Sequence, residues 1–318
     1  MLIDLHSHST HSDGSYSPFL LIQHAIALNL TYFAITDHDN IDSIKTLEKY
    51  KFPHNFTYIP GVEITTKSKC NNEIYHLIVL FPSKMKPNIT PFADIFEIQK
   101  KDRKIRMEKL WIKIQETNNL NQSYQDFQTY FGTLNSTQVQ KIHFAQFLTI
   151  KNICVDINSC FKTHLDIVVK SSEYLLLEDM IALAKHENAY PILAHPYYLA
   201  KNKSSVDKCI PIYQTLGLRA LEVEHPEQDS DQRDNLRKLA RELGLQVSIA
   251  GDFHGPEREK NGYFLGNLEG NKRTMEWEKV YLMKDMGYNS GMDIQKGLAM
   301  SVALLAQIGV VIFMACRG

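Results

Sequence analysis

The feature that most constrains this chain is a recurring junction in which a short apolar run ends in imidazoles and carboxylates. It appears first at the N-terminus, where Leu2-Ile3-Asp4-Leu5 runs straight into His6-Ser7-His8 and then Asp13-Gly14. A buried strand that delivers metal ligands at its C-terminal end has this pattern. Spacing of two places His6 and His8 on one face of an extended chain. The junction returns where Tyr32-Phe33-Ala34-Ile35-Thr36 ends in Asp37-His38-Asp39, and where Phe56 to Pro60 ends in Gly61-Val62-Glu63. It returns again at Tyr190 to Ala194 with His195-Pro196, and at Leu245 to Ala250 with Gly251-Asp252-Phe253-His254. One more apolar strand, Ile74 to Leu80, carries His76 within it.

Between these runs the spacing predicts helices from Pro18 through Leu28, over Ile41 to Tyr50, Leu177 to Glu187, Ser205 to Leu216 and Gln228 to Leu243. Gly244 closes the last as a C-cap residue. Strands alternating with helices predict parallel pairing, and ligands at successive strand ends suit an α/β barrel with its site at the C-terminal rim. From 91 to 174 the pattern becomes helical and charged. Met107, Leu110, Trp111 and Ile114 repeat at i, i+3, i+4, i+7, which identifies an inserted helical subdomain between barrel halves 1–90 and 175–268. Its basic run, Lys100, Lys101, Arg103, Lys104, Arg106 and Lys109, reads as a solvated helix face, with guidance of a polyanionic substrate as the alternative. Residues 269–318 read as a tail ending in the uncharged stretch 297–316, long enough for a membrane helix. Gly297, Ser301, Gln307 and Gly309 dilute its apolarity, so a buried or appended segment is favoured over membrane contact.

Charge narrows the partners. Across 318 residues, 35 Lys and Arg face 36 Asp and Glu, a formal charge of −1, so stable DNA binding is not expected. The five cysteines are odd in number and lack a C-x-x-C pair. That argues against a disulfide framework and a structural zinc cluster, and for a reducing cytoplasm. Asp4 and His6 arrive too early for a secretory signal.

Gathered together, the ligand-type residues are His6, His8, Asp13, His38, Glu63, His76, His195, Asp252 and His254. Mixed imidazole and carboxylate donors without thiolate suit Mn, Fe(II) or Zn at a hydrolytic centre better than Mg or Ca alone. Closely spaced cations of this kind polarise a phosphoryl group and lower the pKa of bound water, so a metal-bound hydroxide replaces a side-chain nucleophile. Asp37 and Asp39 read as partners that orient imidazoles, with helix capping as the alternative for Asp39. His11 reads as solvent-facing, and His24, His54, His164 and His186 as ordinary surface residues.

The ordered motifs Asp4-Leu5-His6-Ser7-His8, Ser12-Asp13-Gly14, Thr36-Asp37-His38-Asp39, Pro60-Gly61-Val62-Glu63, His76, Ala194-His195-Pro196 and Gly251-Asp252-Phe253-His254 resemble those of the PHP (polymerase and histidinol phosphatase) phosphoesterases. The resemblance runs from residue 1 to about residue 268. Lys141-Ile142-His143-Phe144-Ala145 and the overall length bring the chain nearest to the ribonuclease AM and nucleoside 3′,5′-bisphosphate phosphatase subgroup. The family fold is a distorted (β/α)7 barrel holding three divalent metals, often Mn2+.

Carried over, the resemblance implies that His6, His8, Glu63 and Asp252 hold one ion. Glu63 then bridges to a second with His76 and His195, and Asp13, His38 and His254 hold the third. It implies hydrolysis of the 3′-phosphate of nucleoside 3′,5′-bisphosphates and 5′-to-3′ trimming of short RNA. Lys141, His143, Tyr198 and His225 are the substrate-side candidates; Lys141 and Tyr197-Tyr198 stand where the subgroup usually has arginines, which loses bidentate phosphate geometry. The other readings are a phosphomonoesterase such as a histidinol phosphatase, and a non-catalytic nucleotide sensor. Oligomeric state is left open.

Overall fold

The apolar runs become strands because most of their residues are buried on both faces, as a sheet covered by helices requires. The computed structural model describes residues 1–118, 120, 121, 123–130, 139, 141–165, 174–200 and 202–288. Its strands are β1 (Ile3–Asp4), β2 (Tyr32–Ile35), β3 (Thr57–Lys67), β4 (Ile74–Leu80), β5 (Leu175–Leu176), β6 (Tyr190–Ala194), β7 (Ala220–Glu224) and β8 (Gln246–Ile249). Its helices are α1 (Pro18–Ala27), α2 (Asp42–Leu47), α3 (Thr90–Asn118), α4 (Tyr124–Tyr130), α5 (Lys141–Ile150), α6 (Ile157–Cys160), α7 (Leu177–His186), α8 (Lys203–Leu216), α9 (Ser230–Leu243), α10 (Leu268–Arg273) and α11 (Glu276–Asp285).

Local chemistry sets the helix ends. Ser17 accepts from the Leu20 N–H ahead of Pro18, and Asp229 with Gln232 forms a capping box on α9. Gly244 ends α9 in the left-handed region, at φ 67°.

Seven strands follow one another around the barrel in the order β1-β2-β3-β4-β6-β7-β8, with β5 paired to β3 outside that path. The first and last strands are joined beyond their regular ends. Leu5 N–H donates to Ile249 O at 3.0 Å, Asp252 N–H to His6 O at 2.9 Å and His8 N–H to Phe253 O at 2.9 Å. The result is a distorted (β/α)7 barrel with a helical insert. Uniform parallel pairing does not hold: β4 runs antiparallel to both β3 and β6. The link from Lys67 to Ile74 is a short turn, and a turn of that length joins only antiparallel neighbours.

Four buried clusters divide the packing, one of them joining α1 to β2 through Leu21, Ile22 and Phe33; the other three position the site. One lies between the sheet and the helix layer, with Leu193, Leu221, Ile181 and Ile210 among its members. A second fills the barrel floor, where Ile3, Ile78 and Ile249 meet Leu282 and Met283 of α11. Residues 269–288, expected as the start of a tail, thus form α11 and most of α10, and α11 plugs the floor. The third belongs to the insert alone, with Trp111, Phe127, Phe144 and Phe147. Helix α3 serves two of them: Phe92 and Phe96 pack on the barrel, Met107 to Ile114 in the insert.

Cys70 is bonded to Cys209, with their Cα atoms 6.1 Å apart, and Cys154 to Cys160. This corrects the expectation that the cysteines form no disulfide framework. A 139-residue separation hides a pair that the fold brings together when the β3–β4 turn meets α8. Among the described residues no helix is long and apolar enough to cross a membrane. The stretch 297–316 lies outside the described residues.

Candidate metal centre

The nine ligand-type residues converge at one end of the barrel: His6, His8, His38, His195, Asp252 and His254 follow strand ends, Glu63 and His76 lie within β3 and β4, and Asp13 stands on the loop after β1. The turn after His8 needs Gly14: a Cβ there would stand 2.0 Å from the His8 carbonyl oxygen. Two of the nine take positive φ, 25° at His195 and 46° at Asp252. Such backbone persists only where its surroundings over-determine it, and it clusters at functional sites.

Glu63 is the hub. Its Oε2 lies 3.2 Å from His6 Nε2 and 3.2 Å from His8 Nε2, while Asp252 Oδ1 lies 3.2 and 3.1 Å from the same nitrogens. The two nitrogens are themselves 3.0 Å apart. Four donors around a cation at 2.0–2.1 Å would be spaced by roughly 3.3 Å in a tetrahedron, so this set fits one divalent ion. Glu63 Oε1 faces a second group, His76 Nδ1 at 2.7 Å and His195 Nε2 at 3.1 Å.

Asp13 organises a third group: its Oδ2 is 3.5 Å from His254 Nε2 and 3.9 Å from His38 Nε2, and its Oδ1 is 3.7 Å from His8 Nδ1. His254 Nδ1–H donates to the Asp252 carbonyl at 2.8 Å, so its Nε2 is the free nitrogen. His38 Nδ1 and Glu63 Oε2 approach to 3.0 Å, yet both are buried without a hydrogen bond, as is Asp13 Oδ1. Buried polar atoms without partners point to a missing partner of another kind, and a cation is the one this donor set suits.

The electrostatics agree. Burial opposes charge on every one of these groups, but the imidazoles hold Glu63, Asp13 and Asp252 well below the usual carboxylate range. Burial likewise works against charge on His6 and His8, and is outweighed. Glu63, Glu222 and Asp252 hold His6 well above its usual value, and Asp252 with Glu63 brings His8 to about 10. At His38 burial wins, lowering it to about 4, and burial also lowers His195. A site this rich in paired charge stabilises cations, whether protons or metals.

Beside Asp13 opens a cavity of about 320 Å3 whose wall includes Asp39, Arg103, Arg106, Lys141 and Tyr174. The basic run on α3 is therefore not a uniformly solvated face. Arg103 is only 8% exposed and reaches Asp39 Oδ2 at 3.0 Å; Lys100 pairs with Asp42 at 2.8 Å. Arg106 is half-buried, and burial together with Arg103 lowers its pKa. Lys141 lines the cavity and donates to Leu165 O at 2.9 Å. His143, half-buried on the same helix, is two residues on, and side chains two apart on a helix do not share a face.

Other candidates fall elsewhere. Tyr198 is 46% exposed at the rim, its ring edge-on to His195 at 5.5 Å. His225, expected as a rim residue, is buried, with Nε2 3.3 Å from Asp252 Oδ2. Asp37 accepts from Ser9 and Ser12 and reaches His8 only through Ser12; Asp39 pairs with Arg103 and the Thr65 N–H. His11 is half-buried, 2.9 Å from Thr46 Oγ1, rather than solvent-facing.

Two buried carboxylates went unread in the sequence. Glu222 contacts His6 Nδ1 at 3.0 Å, and Asp4 accepts from the N–H groups of His6, Gly251 and Gly266. Burial raises Asp4 to about 7. The signal was present in Glu222, a carboxylate inside an apolar strand.

A cluster of imidazoles and carboxylates at the open end of an α/β barrel defines a metal-dependent hydrolase. The PHP domain pattern matches residues 4–210, and the chain belongs to that family. It is 29% identical over 259 residues to a 5′-3′ exoribonuclease of Haemophilus influenzae, covering 80% of this chain and 90% of that protein. It is 23% identical to a 3′,5′-nucleoside bisphosphate phosphatase of Chromobacterium violaceum, covering 84% and 91%. A solved structure described as an amidohydrolase from Chromobacterium violaceum, with bound sulfate and no metal, superposes with a TM-score of 0.70 at 22% identity over 80% of this chain and 88% of that one. That likeness establishes the shared fold.

Proposed function

We propose that this phosphoesterase removes the 3′-phosphate of nucleoside 3′,5′-bisphosphates and trims short RNA from its 5′ end, in the cytoplasm. One observation carries the reading: Asp13 belongs both to the ligand cluster and to the wall of the cavity holding Arg103, Arg106 and Lys141. A substrate with two phosphates matches two adjoining zones, one for cations that act on a phosphoryl group and one of fixed positive charge. The names of the relatives from Haemophilus influenzae and Chromobacterium violaceum support the same substrate class.

In this reading three Mn2+ ions are held, the first by His6, His8, Glu63 and Asp252, the second by Glu63, His76 and His195, and the third by Asp13, His38 and His254. Bound cations supply Lewis acidity and a nucleophilic water at neutral pH. The chain's own residues do the rest. Glu63 and Asp13 keep their charge through neighbouring imidazoles, so they hold cations without releasing protons. Arg103 and Arg106 orient the second phosphate, Lys141 adds charge, and Tyr198 borders the open side. Helices α3 and α5 of the proposed 91–174 subdomain supply Arg103, Arg106 and Lys141 to this substrate-side wall.

The test compares phosphate release from adenosine 3′,5′-bisphosphate and from histidinol phosphate by protein loaded with Mn2+. The bisphosphate is expected to turn over faster by roughly tenfold or more, as a second charged contact predicts. Equal rates on the two would overturn the substrate assignment.

A further inference from the structure

We propose that Glu222 and His225, at the end of β7, are positioning residues that fix which atoms of His6, His195 and Asp252 face the metal. This rests on the ligand assignment above and extends it to a strand outside that assignment, although Glu222 lies close enough to His6 and His195 to share a cation with them. The argument comes from hydrogen-bond direction. The Glu227 N–H donates to His225 Nδ1 at 3.1 Å, so Nδ1 carries the lone pair and the ring proton sits on Nε2. That proton points to Asp252 Oδ2 at 3.3 Å. One oxygen of Asp252 is thereby engaged, and the other, Oδ1, is left facing His6 and His8.

Glu222 acts in the same way from the opposite side. Its Oε1 accepts from His6 Nδ1 at 3.0 Å, which leaves the Nε2 lone pair directed at the donor cluster. Its Oε2 accepts from the His195 N–H at 2.9 Å, holding the backbone of a residue at φ 25°. One carboxylate thus fixes a ring in one ligand and a strained backbone in another.

The strand is shaped for this. Its register against β8 slips between Glu222 and Glu224, and such an irregularity re-aims side chains. Glu222 faces His6, whereas Glu224 faces Arg237 at 2.6 Å and Arg273 at 2.8 Å. Gln228 secures the slip by donating to the carbonyls of Glu222 at 2.9 Å and Val223 at 2.7 Å. Outer partners of metal ligands commonly govern affinity by 10–100-fold.

The test measures Mn2+ affinity of the full chain by calorimetry and elemental analysis for His225→Leu, His225→Gln and Glu222→Gln. His225→Leu is expected to weaken Mn2+ binding by about 10–100-fold, while His225→Gln, which keeps a donor for Asp252, stays near wild type. Glu222→Gln retains an acceptor for only one of its two donors and falls between them. A wild-type affinity in His225→Leu would overturn the proposal. Should that variant fail to fold, nitrogen NMR of the wild-type protein loaded with diamagnetic Zn2+ decides: His6 protonated at Nδ1 and His225 at Nε2 are expected, and the opposite tautomers refute it. His8→Ala serves as the separate control. Full Mn2+ binding there removes the ligand assignment itself, whereas its loss alongside unchanged His225→Leu removes the positioning pair alone.

Discussion

The donor cluster and the cationic cavity meet at Asp13, yet they are built from different material. Most ligands in the cluster stand within strands or on the segments that follow them, held in place by the barrel's hydrogen-bond ladder and by closing bonds such as Asp252 N–H to His6 O. The cavity stands on α3 and α5, helices of an insert with its own buried cluster around Trp111 and Phe144. Chemistry that tolerates little displacement is carried by the rigid part. Substrate choice is carried by a part that sequence change can remodel without disturbing the barrel.

The strongest way to break this division is to damage the hub. Glu63→Ala removes contacts to His6, His8, His38, His76 and His195 at once. Phosphate release from the bisphosphate is expected to fall on the order of a thousandfold or more, with loss of bound metal by elemental analysis. Substantial turnover in a variant stripped of metal would end the assignment of chemistry to the cluster.

On the cavity side, Arg103→Ala and Arg106→Ala are expected to act on substrate affinity alone. Losing a charged phosphate contact is worth about 1.5–3 kcal/mol, so KM should rise roughly tenfold to a hundredfold while metal content stays constant. Arg103 also pairs with Asp39, which touches the backbone of β3. A fall in metal content on removing Arg103 would show that the two regions are coupled through Asp39, not separate.

The same asymmetry governs what could be read from the chain. Short apolar runs ending in His6-Ser7-His8 or Asp252-Phe253-His254 carry strand, direction and ligand chemistry in consecutive residues, so the barrel and its donors were legible together. Arg103 was not, because six cations in ten positions of α3 look like a solvated face. Its phase was the available signal: Phe96, Arg103, Met107 and Leu110 repeat at seven, four and three, on the buried stripe. Glu222 and Asp4 are buried carboxylates whose role depends on which strand lies alongside, and β7 and β8 are far from β1 in sequence. The Cys70–Cys209 bond was hidden for the same reason. The antiparallel β4 was readable from its short turn, had turn length been weighed above the alternation of strands and helices.

Protons compete with metal only in the cluster, which offers a subtler separation. Against burial, Asp252 and Glu63 push His8 up to about 10 and Glu63, Glu222 and Asp252 push His6 above its usual value, so the metal-free cluster holds protons at neutral pH that a bound cation must displace. Apparent Mn2+ affinity is therefore expected to fall as pH falls, by about tenfold per unit for each proton displaced. Calorimetry between pH 6 and 8 in buffers of different ionisation enthalpy counts those protons. A pH-independent affinity would mean that the imidazoles are already neutral. KM for substrate should vary less, since the cavity wall carries its positive charge on Arg103, Arg106 and Lys141 rather than on imidazoles.

The smallest expected effect lies at Lys141, and its direction is the informative part. The ammonium lines the cavity but is spent in part on the Leu165 carbonyl, 2.9 Å away. Removing it as Lys141→Ala should raise KM only a few-fold, in keeping with an exposed, screened charge. Lys141→Arg keeps the charge and adds a planar fork able to hold two phosphate oxygens. If a phosphate docks in this cavity beside Arg103 and Arg106, the arginine variant should lower KM by about two- to fivefold with kcat unchanged, measured on the bisphosphate. If instead Lys141 serves only to tie α5 to the end of the insert, arginine should match alanine on substrate while both lower the melting temperature. Opposite movements of KM in the two variants therefore locate the second phosphate in the insert, and parallel movements place it elsewhere on the barrel rim.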